Sequence, residues 1–255
     1  MSADLLARFR RTSSGPRVFG HRGASARRPE NTLAAFALAL DEGADGIELD
    51  TRRCASGEMV VMHDPTLLRT AGDPRFVREV PRRELSALDV GGGEPVPLLD
   101  EALDVVLGRG GLVNVELKGD DDDRWLLART LARTLARRSA AERDAIVIST
   151  FDPRVLFALQ WERAAVPVVF LFENTRQGRV RGRVVPRLLS PAGINPEHVL
   201  VNAARVKSWH ARGLLVTTWT VDGEERVLAL SDAGVDGLIT NDPAGTVAAL
   251  RSARR

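Results

Sequence analysis

Short apolar runs alternate with amphipathic helical patterns along almost the whole chain. A strand that is buried on both faces reads as a continuous apolar run, so this alternation is typical of βα units around a parallel sheet. A doubly wound sheet and a closed barrel both fit the alternation itself. The apolar runs are 17–21, 46–50, 112–117, 145–150, 167–172, 192–196, 214–221 and 234–240; the helical patterns are 31–42, 98–107, 123–138, 153–162, 202–212, 224–233 and one from 243.

The number of predicted strands decides between the two architectures. Eight strands, most of them followed by a helix, in about 250 residues are typical of a TIM (β/α)8 barrel, an α/β fold. We find no internal repeat and no linker rich in Pro, Gly or Ser in the sequence. We therefore predict a single domain over residues 1–255, with the barrel at about 17–250.

Residues 51–97 do not fit a plain βα unit, and we interpret them as an excursion after the second strand. Its first part is typical of a hairpin, with strand-like residues 59–63 following a turn centred on Ser56 and Gly57. That turn predicts that His63 lies opposite Asp50, at the level of the strand end. In the first helical pattern, before the excursion, Asn31 is the predicted N-cap of the helix over 31–42.

Composition excludes several classes of protein. Lys and Arg total 36 against 34 Asp and Glu, and this near balance argues against a dedicated nucleic-acid binder. Cys54 is the single cysteine, so the chain is not a disulfide-stapled scaffold. The longest apolar run, Val166 to Phe172, is far shorter than the roughly 20 residues that span a bilayer. We expect no integral membrane segment and a cytoplasmic protein.

One local excess of positive charge stands out. Residues 175–187 contain five arginines and no acidic residue. We interpret this stretch as a solvated loop, and steering of anionic substrates is the functional alternative.

Polar and charged residues recur two apart at the ends of two predicted strands: Glu48 and Asp50 on the second, and Asn114, Glu116 and Lys118 on the third. Because residues two apart in a strand face the same way, Glu48, Asp50 and Glu116 are expected to point into the barrel. Catalytic groups of TIM barrels come from this end, and three converging carboxylates repel one another unless a cation lies between them. Oxygen-only ligation suits Mg²⁺ or Ca²⁺. The alternative is that basic neighbours neutralise the acids: Arg22, Arg52 and Lys118.

Two of the four histidines, His21 and His63, fall at predicted strand ends near the same mouth. Histidine titrates near neutral pH, so two of them beside a bound substrate can form a general acid/base pair. The other two, His198 and His210, lie in predicted loop or helix contexts, and we expect surface or packing roles for them.

The chain resembles the glycerophosphodiester phosphodiesterase family. The resemblance extends from about residue 17 to 250, and its motifs occur in the family's order. That family forms TIM barrels with a small extra segment after the second strand, where we place the excursion. The motifs are HRG at 21–23, PENT at 29–32, E-x-D at 48–50, HD at 63–64, E-x-K at 116–118 and WTVD at 219–222.

The resemblance implies a role for each matching residue. It makes Glu48, Asp50 and Glu116 ligands of a divalent cation, Ca²⁺ or Mg²⁺, and His21 and His63 the catalytic acid/base pair. The remaining three positions are implied to bind substrate, with two cations on the phosphate and an aromatic wall against glycerol: Arg22, Lys118 and Trp219.

The implied reaction converts a glycerophosphodiester into glycerol 3-phosphate and an alcohol, by attack of the glycerol 2-hydroxyl and opening of a cyclic phosphate. The sequence does not fix which histidine is the acid. Three alternatives stay open: a lysophospholipase D-like enzyme of the same family, a catalytically silent barrel that binds phosphodiesters, and an enolase-type barrel. The last carries a large N-terminal capping domain, which we do not expect because the first strand begins near Arg17.

Overall fold

The structure is a computed structural model that describes residues 6–119 and 123–253. Its strands are short, and every predicted strand is present with bounds that differ by a few residues. The strands are β1 (Arg17–His21), β2 (Gly46–Arg53), β3 (Met59–Val61), β4 (Leu112–Leu117), β5 (Ile146–Thr150), β6 (Val168–Phe172), β7 (Gly193–Pro196), β8 (Leu215–Thr218) and β9 (Gly237–Thr240).

Helices connect the strands and cover the outside of the sheet. Within the described ranges no helix is long and apolar enough to cross a bilayer. The helices are α1 (Leu33–Asp41), α2 (Leu68–Ala71), α3 (Arg82–Leu85), α4 (Leu99–Leu107), α5 (Arg124–Ala136), α6 (Ala140–Arg143), α7 (Pro153–Trp161), α8 (Arg176–Leu188), α9 (Ala203–His210), α10 (Glu224–Ala233) and α11 (Pro243–Ser252), with 3₁₀ turns at Val77–Glu79 and His198–Leu200.

The sheet closes on itself. Its strand order is β1-β9-β8-β7-β6-β5-β4-β2, all parallel, and β1 also pairs with β2. The ninth strand, β3, pairs with β2 antiparallel and lies outside the barrel. The predicted TIM barrel with a hairpin after its second strand is therefore confirmed.

Apolar side chains fill the amino-terminal end of the barrel. Phe9, from the segment before β1, stacks on Phe19 of β1 with ring centroids 6.1 Å apart. Both rings are almost completely buried. The segment before the first strand therefore seals this end, and the same cluster contains Leu6, Leu112, Ala145, Val147, Leu215 and Ile239.

The hairpin register differs by one residue from the prediction. Asp50 lies opposite Met62, whose amide donates to the Asp50 carbonyl at 3.0 Å, so His63 follows one residue later. The reason is the turn, which is centred on Ser56 alone because Cys54 N donates to Glu58 O at 3.0 Å. The excursion packs around its own small apolar cluster: Cys54, Val60, Met62, Leu67, Val77, Val80, Leu85, Val90 and Val96.

The arginine-rich stretch is a helix, and its interpretation as a loop is wrong. Thr175 caps α8 by accepting a hydrogen bond from Gly178 N at 2.9 Å. Gly182 lies so close to the Phe172 ring that a Cβ there would be 2.5 Å from it. Glycines and Pro186 lower the intrinsic helix propensity of this segment, but here they allow close packing on the barrel. Tertiary contact therefore outweighs local preference.

Candidate active site

The carboxyl ends of adjacent strands bring the three acidic residues together. The register pairs His21 with Glu48 and Asp50 with Glu116. All three carboxylates are buried, and one oxygen of each lies within 4.8 Å of the others. The structure therefore assembles the predicted acidic triad at the barrel mouth.

Basic side chains lie against this triad, which agrees with the alternative interpretation that basic neighbours neutralise the acids. Lys118 Nζ lies 2.8 Å from Asp50 Oδ1 and also contacts Glu116 Oε1. Arg22 Nε lies 3.1 Å from Asp50 Oδ2, as an ion pair. Arg52 donates to the carbonyl of His63 at 2.8 and 3.0 Å. Basic side chains thus lie directly against the three carboxylates.

The pKa values of the three carboxyl groups are shifted in different directions. Burial, followed by the charges of Asp50 and Glu116, raises the pKa of Glu48 well above its ordinary value. Burial also raises the pKa of Glu116, although Lys118 opposes it. Burial opposes ionisation of Asp50 as well, but the Lys118 and Arg22 charges outweigh it and lower the pKa of Asp50. A divalent cation fits this arrangement, because it would relieve the repulsion that helps to raise the pKa of both glutamates.

Asn31 orients the triad and does not cap the following helix. Thr32 is the N-cap of α1, and its hydroxyl accepts from Ala35 N at 3.1 Å. Asn31 has φ 59°, a left-handed conformation that asparagine tolerates. From there its Nδ2 donates to Asp50 Oδ2 at 2.9 Å, and its Oδ1 accepts from Asp50 N at 3.3 Å. The predicted cap is therefore wrong by one residue.

Hydrogen bonds fix the tautomer of His21. Asn241 donates from Nδ2 to Asp222 Oδ2 at 2.6 Å, so its Oδ1 must face His21 Nδ1, 2.7 Å away. An amide oxygen only accepts, so Nδ1 carries the proton and neutral His21 keeps the lone pair on Nε2. Burial, and then the charge of Arg22, lowers the pKa of His21. The side chain is therefore held in the form that accepts a proton.

His63 is held by a carboxylate. Asp64 Oδ1 lies 2.6 Å from His63 Nδ1, and Asp64 Oδ2 accepts from Arg69 Nε at 2.5 Å. Arg69 continues to Glu30, which also binds Arg22 at 3.0 Å. Because Nδ1 faces Asp64, only Nε2 of His63 is left for a substrate. This ion-pair chain also joins the excursion to the end of β1.

Two cavities meet at these residues. The first, about 330 Å³, is lined by His21, Glu48 and Trp219 among others. The second, about 860 Å³, shares His63, Glu116, Lys118 and Phe151 with the first. Trp219 Nε1 donates to Asn195 O at 2.9 Å, and its ring meets Phe151 edge to face, 5.4 Å between centroids. The predicted site residues thus line one cavity, with Asp50 beneath it.

The sequence interpretation did not assign several polar residues of the site. Asn114 faces inward beside Glu48, and neither its Nδ2 nor its Oδ1 has a hydrogen-bond partner among the described residues. Strand alternation had placed it on that face. Asp222 ends the WTVD motif, and Asn241 lies in the sequence TNDP at 240–243. Their hydrogen bond joins two loops, and such a contact cannot be predicted from either segment alone. Glu173 lines the smaller cavity from the end of β6, and no sequence motif marked it.

The barrel, with acidic and basic side chains and histidines at the carboxyl ends of its strands, has the layout of a TIM-barrel enzyme. The sequence pattern of the glycerophosphoryl diester phosphodiesterase family matches residues 21–245, and the chain belongs to that family. It is therefore an enzyme of the glycerophosphodiester phosphodiesterase class. A glycerophosphodiester phosphodiesterase of Caldanaerobacter subterraneus subsp. tengcongensis is 31% identical over 233 residues, which cover 89% of this chain and 94% of the relative.

Solved structures agree with this assignment. A protein of Silicibacter pomeroyi DSS-3 superposes with a TM-score of 0.88 at 28% identity, covering 98% of each chain. A phosphodiesterase of Oleispira antarctica, solved in complex with the product sn-glycerol-3-phosphate, gives a TM-score of 0.83 at 25% identity. That match covers 94% of this chain and 98% of the other.

Proposed function

We propose that this enzyme hydrolyses glycerophosphodiesters to glycerol 3-phosphate and an alcohol, with a divalent cation and two histidines. The observation that carries the proposal is the pair His21 and His63, which line the same cavity as Glu48 and Glu116 of the buried triad. The family membership and the product bound to the Oleispira antarctica relative support the substrate class.

Glu48, Asp50 and Glu116 would hold the cation, Ca²⁺ or Mg²⁺. When bound, the cation would stabilise negative charge on the phosphate oxygens as a Lewis acid. Arg22 and Lys118 reach the same volume and would bind the phosphate as well, where positive charge favours the transition state. Trp219 and Phe151 form an apolar wall for the glycerol carbons.

The hydrogen bonds of the histidines support different roles for them. Neutral His21 would accept the proton of the glycerol 2-hydroxyl at Nε2 as its oxygen attacks phosphorus. His63, paired with Asp64, would protonate the departing alkoxide as the bond from phosphorus to the alcohol oxygen breaks. Water would then open the cyclic phosphate with the two roles exchanged. His63 lines both cavities, so the alcohol group would occupy the larger one.

A change of leaving group tests these roles. With an ordinary alkyl alcohol, we expect His63→Ala to lower kcat/KM by roughly 10²- to 10⁴-fold. With a 4-nitrophenyl diester, whose leaving group needs no proton, His63→Ala should lose far less activity. His21→Ala should lose activity on both substrates, and His210→Gln, at the far end of the barrel, serves as the matched control. If His63→Ala lowered kcat/KM by the same factor on both substrates, the assignment of His63 as the acid would be contradicted.

A lysophospholipase D-like activity is the second candidate, and the larger cavity favours it. Its volume of about 860 Å³ leaves room for a bulky alcohol group beside His63. A panel of glycerophosphodiesters and lysophospholipids, assayed for the phosphate product, ranks the two substrate classes. Preference for the soluble diesters by a large margin in kcat/KM would exclude the second candidate. Release from neither class would contradict both and would favour a silent binding barrel.

We also propose that barrel and excursion form one functional domain over residues 1–255. The excursion supplies His63 to the site, and Arg69 joins it to Glu30 at 2.6 Å. The cluster of apolar residues inside the excursion is small, which supports dependence on the barrel for stability.

A further inference from the structure

Large apolar side chains are exposed on three outer helices of the barrel. Trp125 is 42% exposed, Phe157 is 45% exposed and Trp161 is 70% exposed. The rings contact one another across α5 and α7, with centroids 6.1 to 6.3 Å apart. An exposed cluster of this kind marks an interaction surface, because monomeric soluble proteins rarely leave neighbouring aromatic rings in water.

Helix α8 adds two parallel rows of exposed side chains to the outside of the barrel, one apolar and one of arginines. Val180, Val184 and Leu188 recur every four residues and are 56%, 46% and 75% exposed. Beside them run three exposed arginines, also four residues apart, with no acidic residue between positions 174 and 196. A helix with an exposed apolar row beside arginines has the composition of an interfacial helix. The arginines are Arg179, Arg183 and Arg187.

The two surfaces are continuous. Gln160 Nε2 at the end of α7 donates to Leu189 O at the end of α8, at 2.7 Å. The chain neighbours of these two residues, Trp161 and Leu188, are the most exposed large apolar side chains of the described residues. We call the combined surface, formed by the exposed side chains of α5, α7 and α8, the Trp–Arg face.

The helices that carry the Trp–Arg face begin at the mouth of the active site and finish at the opposite end of the barrel. Arg154 of α7 and Arg181 of α8 line the larger cavity. Trp161 and Leu188, in the last turns of the same helices, lie away from that cavity. A surface that covered this face would therefore run along the side of the barrel and reach the rim of the cavity at one end.

We propose that the Trp–Arg face binds the surface of an anionic lipid bilayer. Tryptophan rings partition to the boundary of headgroups and acyl chains, and arginines are attracted by the negative surface potential of anionic lipids. Charge also argues against a second copy of this chain, because a symmetric contact would bring the arginine row against itself. This peripheral contact would hold the side of the barrel against the membrane, and it does not depend on the proposed reaction.

Sedimentation with vesicles tests this proposal. The wild-type protein is mixed with vesicles of phosphatidylglycerol and phosphatidylcholine, or of phosphatidylcholine alone, at low and at high salt. We expect binding to the anionic vesicles, with a large loss at high salt because the lipid charge is then screened. Binding that is equal for both vesicle types, or absent from both, would overturn the proposal.

Matched variants locate the contact. Removal of three arginines in R179Q/R183Q/R187Q should weaken binding about 100-fold, since each basic residue near an anionic surface contributes about fivefold. The control R28Q/R83Q/R251Q removes the same charge from exposed positions elsewhere and should bind like the wild type. In W161S/L188S the apolar contact is lost, and we expect roughly tenfold weaker binding.

Both face variants alter exposed residues outside the catalytic cavities, so hydrolysis of a soluble diester should be unchanged. Equal losses of binding in the control and in R179Q/R183Q/R187Q would mean that net charge alone acts, against the proposed face. A wild-type dimer that W161S/L188S converts to monomers would show that a second copy covers the face. That result would also overturn the proposal.

Discussion

The two ends of the barrel interior are built by the same strands and have opposite chemistry. On β1, Phe19 packs on Phe9 at the amino-terminal end, and two residues later His21 faces the mouth. On β4, Leu112 joins the apolar end and Glu116 joins the acidic triad. One set of inward-facing positions thus changes from apolar to charged within a single strand.

The comparison separates the sources of stability and of function. At the apolar end, burial of large side chains stabilises the closed barrel. At the mouth, carboxylates are buried near one another and Asn114 lacks a hydrogen-bond partner among the described residues, which is costly for folding. The strands can hold such a mouth rigidly because their other ends are well packed.

The largest predicted effect is loss of activity at the mouth. His21→Ala is expected to lower kcat/KM by roughly 10²- to 10⁴-fold, because the proton of the attacking hydroxyl then has no acceptor. The melting temperature should change little, since the His21 ring packs beside a cavity. Steady-state kinetics and thermal unfolding on the same sample check both parts. Full activity in the variant would remove His21 from the reaction.

The opposite effect is predicted at the sealed end. Phe9→Ala should lower the free energy of unfolding by about 3–5 kcal/mol, because a buried ring is lost and a cavity remains. kcat/KM of the folded protein should stay the same. Denaturant unfolding measures the change, with Phe157→Ala, an exposed phenylalanine, as the control of small effect. A similar loss in both variants would contradict the role of the seal.

A smaller effect is predicted for the residue that positions His21. The proposed mechanism uses neutral His21 as the base, so we expect kcat/KM to fall as the pH falls through the pKa of His21. Burial and Arg22 lower that pKa, so the acidic limb of the profile should lie below about pH 6.5, the ordinary value. Asn241→Asp places a negative charge at the Nδ1 hydrogen bond and should move the limb to higher pH. An acidic limb at the same pH in Asn241→Asp and in the wild type would contradict the hydrogen bond between Asn241 and His21.

The same lowered pKa has a consequence for stability. In the unfolded chain His21 binds a proton at about pH 6.5, whereas folded His21 remains neutral to lower pH. The free energy of unfolding should therefore decrease as the pH falls from about 6.5 through the folded pKa. The slope of stability against pH in this window should be smaller in His21→Ala than in the wild type.

The smallest predicted effect separates two neighbours in PENT. Thr32→Ala removes the N-cap of α1 and should lower stability by about 1 kcal/mol without changing kcat. Asn31→Ala should instead lower kcat, because the amide that orients Asp50 is lost. Kinetics and unfolding of the two variants side by side check the difference. An unchanged kcat in Asn31→Ala would show that the hydrogen bond from Asn31 to Asp50 does not contribute to catalysis.

Strand periodicity predicted the barrel and the residues that face its mouth. The inward direction of Glu48, Asp50 and Glu116 followed from alternation alone, because buried parallel strands leave little freedom of register. Contacts between distant segments were not predictable: Asn241 meets His21 only because β9 closes on β1. The helix α8 was missed because packing of Gly182 on Phe172 outweighs its poor local propensity.

We propose that the charged end of the barrel is a metal-dependent phosphodiesterase site. The most direct measurement is the release of glycerol 3-phosphate from glycerophosphodiesters by chelator-treated protein, titrated with Ca²⁺ or Mg²⁺, for the wild type and Glu116→Gln. We predict no release without metal, saturable release with it, and loss in the variant. Release by the chelator-treated wild type, or an unchanged metal response in Glu116→Gln, would contradict this account.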